Sequence, residues 1–131
     1  MAMVPQQQRG KRAFFAPCPH GLEALLAEEV RRCGGADVST VPAGVAFAGD
    51  METCWRVNLE SRLASRVLLQ LARAAYRTER DVYDAAYAID WPAQFAVTHS
   101  LRVDINAIRC PLKSLDFVTL RIKDAVCDRF R

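Results

Sequence analysis

Basic residues crowd the end of this 131-residue chain. Between Leu101 and Arg131 seven Lys/Arg face four Asp, a surplus of three that equals the net charge of the whole chain, +3. Arg109, Lys113, Arg121 and Lys123 carry most of that surplus, and such a cluster beside a neutral body suits a polyanion. Fifteen of the eighteen basic residues are Arg, which grips phosphate through two parallel N–H bonds where Lys acts as a point charge. Arg109 and Lys113 fall in a stretch that reads as a loop, where binding residues concentrate. Arg121 and Lys123 fall on opposite flanks of a helix stripe, so the four cannot all line one phosphate track. The competing reading has their stems covering apolar rims and their heads paired with Asp124 or Asp128.

Other reactive residue types are present without a constellation around them. Cys18, Cys33, Cys54, Cys110 and Cys127 show no two-residue spacing of a zinc knuckle or redox dithiol. Cys18-Pro19-His20 resembles a fragment of a metal site, but nothing nearby completes four ligands, so no metal is expected. Cys110, next to Pro111, has neither His20 nor His99 beside it in sequence and reads as an incidental thiol. Trp55, Trp91 and Phe95 have rings that can stack on bases, yet each sits in or beside an apolar helix pattern and is expected in the core. An odd cysteine count with no secretory h-region suits a reducing cytoplasm, and no apolar run approaches the roughly twenty residues of a membrane span.

These residues need elements to position them. Residues 1–12 read as a polar, disordered tail. A strand is expected over Ala13–Pro17, then a helix from Gly21 to Cys33 with Leu22, Leu25, Leu26, Val30 and Cys33 as its apolar stripe, closed by Gly34-Gly35. Glu29 interrupts that stripe and is expected at its edge or paired with an Arg. Two strands follow, Ala36–Ala43 and Val45–Ala48, then a helix from Met51 to Ala64 capped by Asp50. Val67–Leu71 fits either a buried strand or more helix. Taken as a strand it completes a β-α-β-β-α-β order with two helices on one face of a four-stranded sheet, an α+β fold.

From Tyr76 a second segment begins. Thr78 caps a helix running to Ile89, Trp91-Pro92 interrupts it, Leu101–Ile105 alternates as a strand, and Ser114 caps a last helix to Arg131. That helix has a main stripe of Leu115, Val118, Ile122, Ala125 and Val126, and a second apolar flank of Phe117, Leu120 and Cys127. One strand makes no sheet, so this segment is expected to be incomplete.

Six stretches, in order, then resemble one family: Phe14–Glu29, Gly44–Asp50, Ser61–Arg66, Asp81–Asp84, Ala88–Pro92 and Leu120–Asp128. Phe14-Phe15-Ala16-Pro17-Cys18-Pro19-His20-Gly21-Leu22-Glu23 is similar to the opening of the bacterial 23S rRNA guanine-N2 methyltransferases that carry a THUMP domain. Some relatives in that family are labelled adenine-specific DNA methylases. The resemblance implies a ferredoxin-like domain over residues 13–75 and the first part of an RNA-binding THUMP domain over 76–131. It implies structured RNA, 23S rRNA, as partner, and a cytoplasmic protein. In the family a further Rossmann-like domain binds S-adenosylmethionine at a Gly-rich loop and carries an Asn-Pro-Pro-Tyr type motif. Neither occurs in these 131 residues, so no methyl transfer, no catalytic residue and no cofactor site are expected here, and a separately encoded methyltransferase domain becomes a possible partner. Arg62 and Arg66 are expected to hold the two modules together. The alternative is a structural or interaction fragment with no RNA affinity.

Overall fold

The computed structural model describes residues 11–107 and 110–131, which fall into two compact units, Met1–Leu71 and Ala72–Arg131. The first unit runs β1 (Arg12–Pro17), α1 (Glu23–Arg32), β2 (Ala36–Val41), β3 (Gly44–Gly49), α2 (Met51–Glu60) and β4 (Leu68–Leu69). Its sheet has the order β2-β3-β1-β4, antiparallel throughout. This is the expected α+β, ferredoxin-like arrangement.

Period-two alternation decides which side chains face the helices. Phe14 and Ala16 of β1 and Val45 and Phe47 of β3 are buried with Leu26, Ala27 and Val30 of α1 and Val57 of α2. Phe14 and Phe47 are register partners whose rings stack at 5.4 Å. The stripe on α1 differs from expectation at one position: Leu25 is 52% exposed while Ala27 is buried. Helix α1 ends in a Schellman motif, with Gly34 N–H on Arg31 O at 3.0 Å and Gly35 N–H on Val30 O at 2.9 Å. That motif needs a left-handed residue, and Gly34 supplies it at φ 96°.

Boundaries move where a side chain offers the backbone something better. Gly21, at φ 95°, cannot start the helix, and the Glu23 carboxylate accepts its N–H instead, so α1 begins at Glu23. Strand β1 starts at Arg12 because the ladder extends to the Arg12–Gly49 pair. Asp50 caps α2 through Thr53 N at 2.9 Å, as its type and place require. That helix stops at Glu60, short of Ala64: Ser61 turns extended, with ψ 135°. There the Ser61 hydroxyl donates to the Glu29 carboxylate at 2.7 Å and Arg62 N–H donates to it at 3.2 Å. The expected strand over Val67–Leu71 reduces to Leu68–Leu69, prolonged by Ser65 N–H on Pro17 O and Gln70 N–H on Ala13 O.

The second unit contains α3 (Glu79–Tyr87), a 3₁₀ turn (Trp91–Ala93) and α4 (Leu115–Arg129). Thr78 and Asp81 close a reciprocal capping box on α3, and Ser114 Oγ accepts Phe117 N–H at 3.2 Å to start α4. The helices pack through Ala86, Val118, Ala125 and Val126, all buried. Leu101–Ile105 is not a strand. Among the described residues no strand of this unit is present to pair with it. Its alternation survives only as burial, Val103 and Ile105 half-buried between exposed Leu101, Arg102 and Asp104. Phe117, Leu120 and Cys127 form the second flank of α4 and are exposed.

Candidate nucleic-acid interface

The expected RNA-contact residues part company in the structure. Lys113 is exposed in the loop just before the α4 cap, and Lys123 is exposed on the outer side of α4. Among the described residues neither ammonium has a carboxylate partner. Arg121 is engaged. Its guanidinium lies 4.5 Å over the Tyr83 ring and 3.9 Å from Asp124, with only 28% of the side chain exposed. Arg109 lies outside the described residues. Of the expected contacts, the described residues thus offer an anion two Lys groups without a carboxylate partner and one Arg already held by a ring.

A further cation and a second ring flank Tyr83, beyond the four expected contacts. Arg80 lies 5.3 Å over Tyr83 from α3 itself, and Tyr83 stacks on Tyr87 at 6.0 Å and 15°. Arg129 lies 5.5 Å over Tyr87. The Tyr83 hydroxyl donates to Asp128 at 2.6 Å, and that bond, with some burial, raises the phenol above its ordinary pKa. The spacing of Arg80, Tyr83, Asp84 and Tyr87 is a helical i, i+3, i+4, i+7 stripe opposite Val82, Ala85 and Ala86, a pattern carried by the sequence itself.

Aromatic residues expected in the core divide. Trp91 and Phe95 are half-buried, Trp91 Nε1–H donates to Ala86 O at 2.8 Å, and Phe95 packs on Phe130 at 5.2 Å. Trp55 is 63% exposed, contrary to expectation. Thr53 and Val57 set the inward side of α2, and Trp55, two residues from each, is turned roughly 160° away at 100° per residue.

The remaining candidates carry little reactive chemistry. Burial raises the pKa of Cys18 and Cys33, and Cys33 Sγ–H donates to Glu60 at 3.4 Å, so both stay thiols. Cys33, Glu29, Arg32, Glu60 and Arg62 line a concavity of about 450 Å³ with mixed charge. Cys110 Sγ accepts the Tyr76 hydroxyl at 3.4 Å. His20 is exposed, 3.8 Å from Glu23. Among the described residues no group of three or more His, Cys, Asp or Glu side chains could hold a metal ion. None of their helices is long and apolar enough to cross a membrane. A second, apolar cavity of about 540 Å³ lies in the unit of α3 and α4, with Tyr76, Ala86, Ile89, Leu112, Val118 and Ile122 among its walls. Arg62 and Arg66 are exposed, and the hydrogen bond that Arg62 makes to Glu29 comes from its backbone.

Similarity to known proteins agrees with this division. Residues 13–68 match the RlmL ferredoxin-like domain and residues 76–131 match the THUMP domain. The chain is similar to proteins named ribosomal RNA large subunit methyltransferase K/L. It is 40% identical to the one from Shewanella frigidimarina and 42% to the one from Syntrophotalea carbinolica, each over 118 residues and 90% of this chain. It spans 17% and 16% of the lengths of those relatives. Among solved structures it resembles a "predicted N6-adenine-specific DNA methylase" from Listeria monocytogenes, with a TM-score of 0.85 at 23% identity over 98% of this chain and 33% of that one. It also resembles a protein put forward as a methyltransferase and solved in complex with SAH, with a TM-score of 0.83 at 22% identity over 92% of this chain and 32% of that one. At such identities these structures speak for the fold alone. Domain by domain, residues 13–68 are of the RlmL ferredoxin-like family and residues 76–131 of the THUMP family.

Proposed function

We propose that these 131 residues are the RNA-binding, rRNA-targeting part of an S-adenosylmethionine-dependent 23S rRNA guanine-N2 methyltransferase of the cytoplasm. Residues 13–75 are assigned to the ferredoxin-like domain and 76–131 to the first part of the THUMP domain. The match of residues 76–131 to the THUMP model carries the reading, and the names of the relatives supply the RNA. The basic surplus after Leu101 and the exposed side chains of Lys113 and Lys123 support it. Methyl transfer and cofactor binding are assigned to sequence outside these residues. A nucleotide cradle needs a strand, a Gly-rich loop and a helix in succession, and the relatives are several times longer than this chain.

Arg109, Lys113, Arg121 and Lys123 are the proposed RNA contacts, with Arg109 assigned by its place beside Lys113 in sequence. Gel shifts with 23S rRNA transcripts at two salt concentrations test this. Each phosphate neutralised should contribute about 0.7–0.9 to the log–log salt slope. Lys113→Glu with Lys123→Glu should lower affinity and flatten the slope, with an unchanged circular dichroism spectrum because both side chains are exposed. Adding Arg109→Glu should lower affinity further. A wild-type chain that binds no rRNA at low salt would leave the interaction-fragment reading in its place.

A further inference from the structure

Along one edge of the α3–α4 pair, rings and guanidinium groups alternate. Arg80, Tyr83 and Tyr87 share one stripe of α3, and α4 lays Arg121 over Tyr83 and Arg129 over Tyr87. Two features make this more than a brace between helices. The pair is already joined through buried Ala86, Val118, Ala125 and Val126, so packing does not require a polar seam. The seam also faces solvent: the Arg80 side chain is 70% exposed, Tyr87 is 40% exposed and Arg129 is exposed.

A guanidinium resting on a ring has its plane held while its N–H edge stays free, which is the preorganised form for taking a phosphate. The competing acids hold these groups loosely. Arg80 meets Asp84 at 3.1 Å with both side chains more than half exposed, and a pair of that kind is screened and readily exchanged for a doubly hydrogen-bonded phosphate. Tyr83 is the fixed member, its hydroxyl tied to Asp128, and Tyr87 presents the more open ring.

We infer that this seam is a second RNA-contact surface, on which an unpaired RNA segment places phosphates against Arg80 and Arg129 and a base against the exposed ring of Tyr87. The inference rests on the RNA-binding reading above. It adds Arg80, Tyr87 and Arg129 to the contacts proposed above, chosen by stacking as well as by charge. Unpaired RNA fits better than duplex because a tyrosine ring can be covered only by a base that has left its own stack.

Fluorescence anisotropy of the full 131-residue chain with a short oligoadenylate, and with a duplex RNA for comparison, tests it. Arg80→Gln with Arg129→Gln should weaken oligoadenylate binding by at least about fivefold and reduce the salt slope by about 0.7 for each phosphate lost. Tyr87→Leu keeps the apolar bulk and should weaken the same binding at least about fivefold with the slope unchanged. Should the Gln pair melt early by circular dichroism, Arg80→Lys with Arg129→Lys retains both charges and should still lose affinity, since Lys neither stacks nor forks. Oligoadenylate affinity within about twofold of wild type in the folded Arg variants and in Tyr87→Leu would overturn the seam. If Lys113→Glu with Lys123→Glu still weakened binding there, the RNA-binding reading would stand without the seam. A wild-type chain that bound neither RNA would remove both.

Discussion

Glu29 shows how a residue that looks misplaced in a sequence finds its reason in three dimensions. It interrupts the apolar stripe of α1, and its carboxylate receives the Ser61 hydroxyl and the Arg62 backbone N–H thirty-odd residues away. Burial works to raise its pKa, but those hydrogen bonds, helped by the Arg32 charge, outweigh it and hold the carboxyl below its ordinary value. Folded-state depression means that the contribution is fully present above the unfolded pKa and is lost as pH falls through the lower, folded one. Hydrogen bonds also depress Glu23 and Asp50 in the same unit, so this unit should weaken in acid below about pH 4.5. Glu29→Gln should melt earlier than wild type at neutral pH, and the difference should shrink as the pH is lowered past that point. Thermal melts followed by circular dichroism across the range check it. A gap that stayed constant down to about pH 3 would mean that the charge of Glu29 does not matter.

Among the elements, α1 separates two leucines that its sequence treats alike. Leu26 is fully buried against the sheet, while its neighbour Leu25 is 52% exposed. Leu26→Ala should cost about 3 kcal/mol, since it removes buried methyl groups and leaves a cavity in a small core. Leu25→Ala should change stability by no more than about 0.5 kcal/mol. Urea unfolding of the two variants measures the contrast, and similar midpoints would contradict the packing of α1. The end of α2 follows the same logic in reverse. Residues up to Ala64 suit a helix, but Ser61 leaves it to satisfy Glu29, and the chain then turns with Ala64 N–H on Ser61 Oγ at 3.0 Å.

For the whole molecule, the division into Met1–Leu71 and Ala72–Arg131 puts an exposed stretch without regular structure at 72–77. It contains Arg73 and Arg77. Brief trypsin digestion should therefore cut after one of these before cutting within the ferredoxin-like unit, and mass spectrometry would identify the fragments. A first cleavage between β1 and β4 would argue against the domain boundary proposed near residue 75. Cleavage in this stretch would agree with the separate matches of residues 13–68 and 76–131 to two domain families.

Element types and caps were legible in the sequence because local physics sets them: Asp50, Thr78 and Ser114 each cap the helix they precede, and Gly34 closes α1. The family, too, could be read from ordered motifs. Tertiary partners decided the rest. Leu101–Ile105 has the alternation of a strand, yet a strand exists only where another backbone takes its hydrogen bonds, and its own residues cannot report that. Trp55 lies outside and Leu26 inside because helix phase against one particular sheet selects the buried side. The Arg80–Tyr83–Arg121 stack joins residues on two helices some forty positions apart, and only their packing brings those rings and cations together.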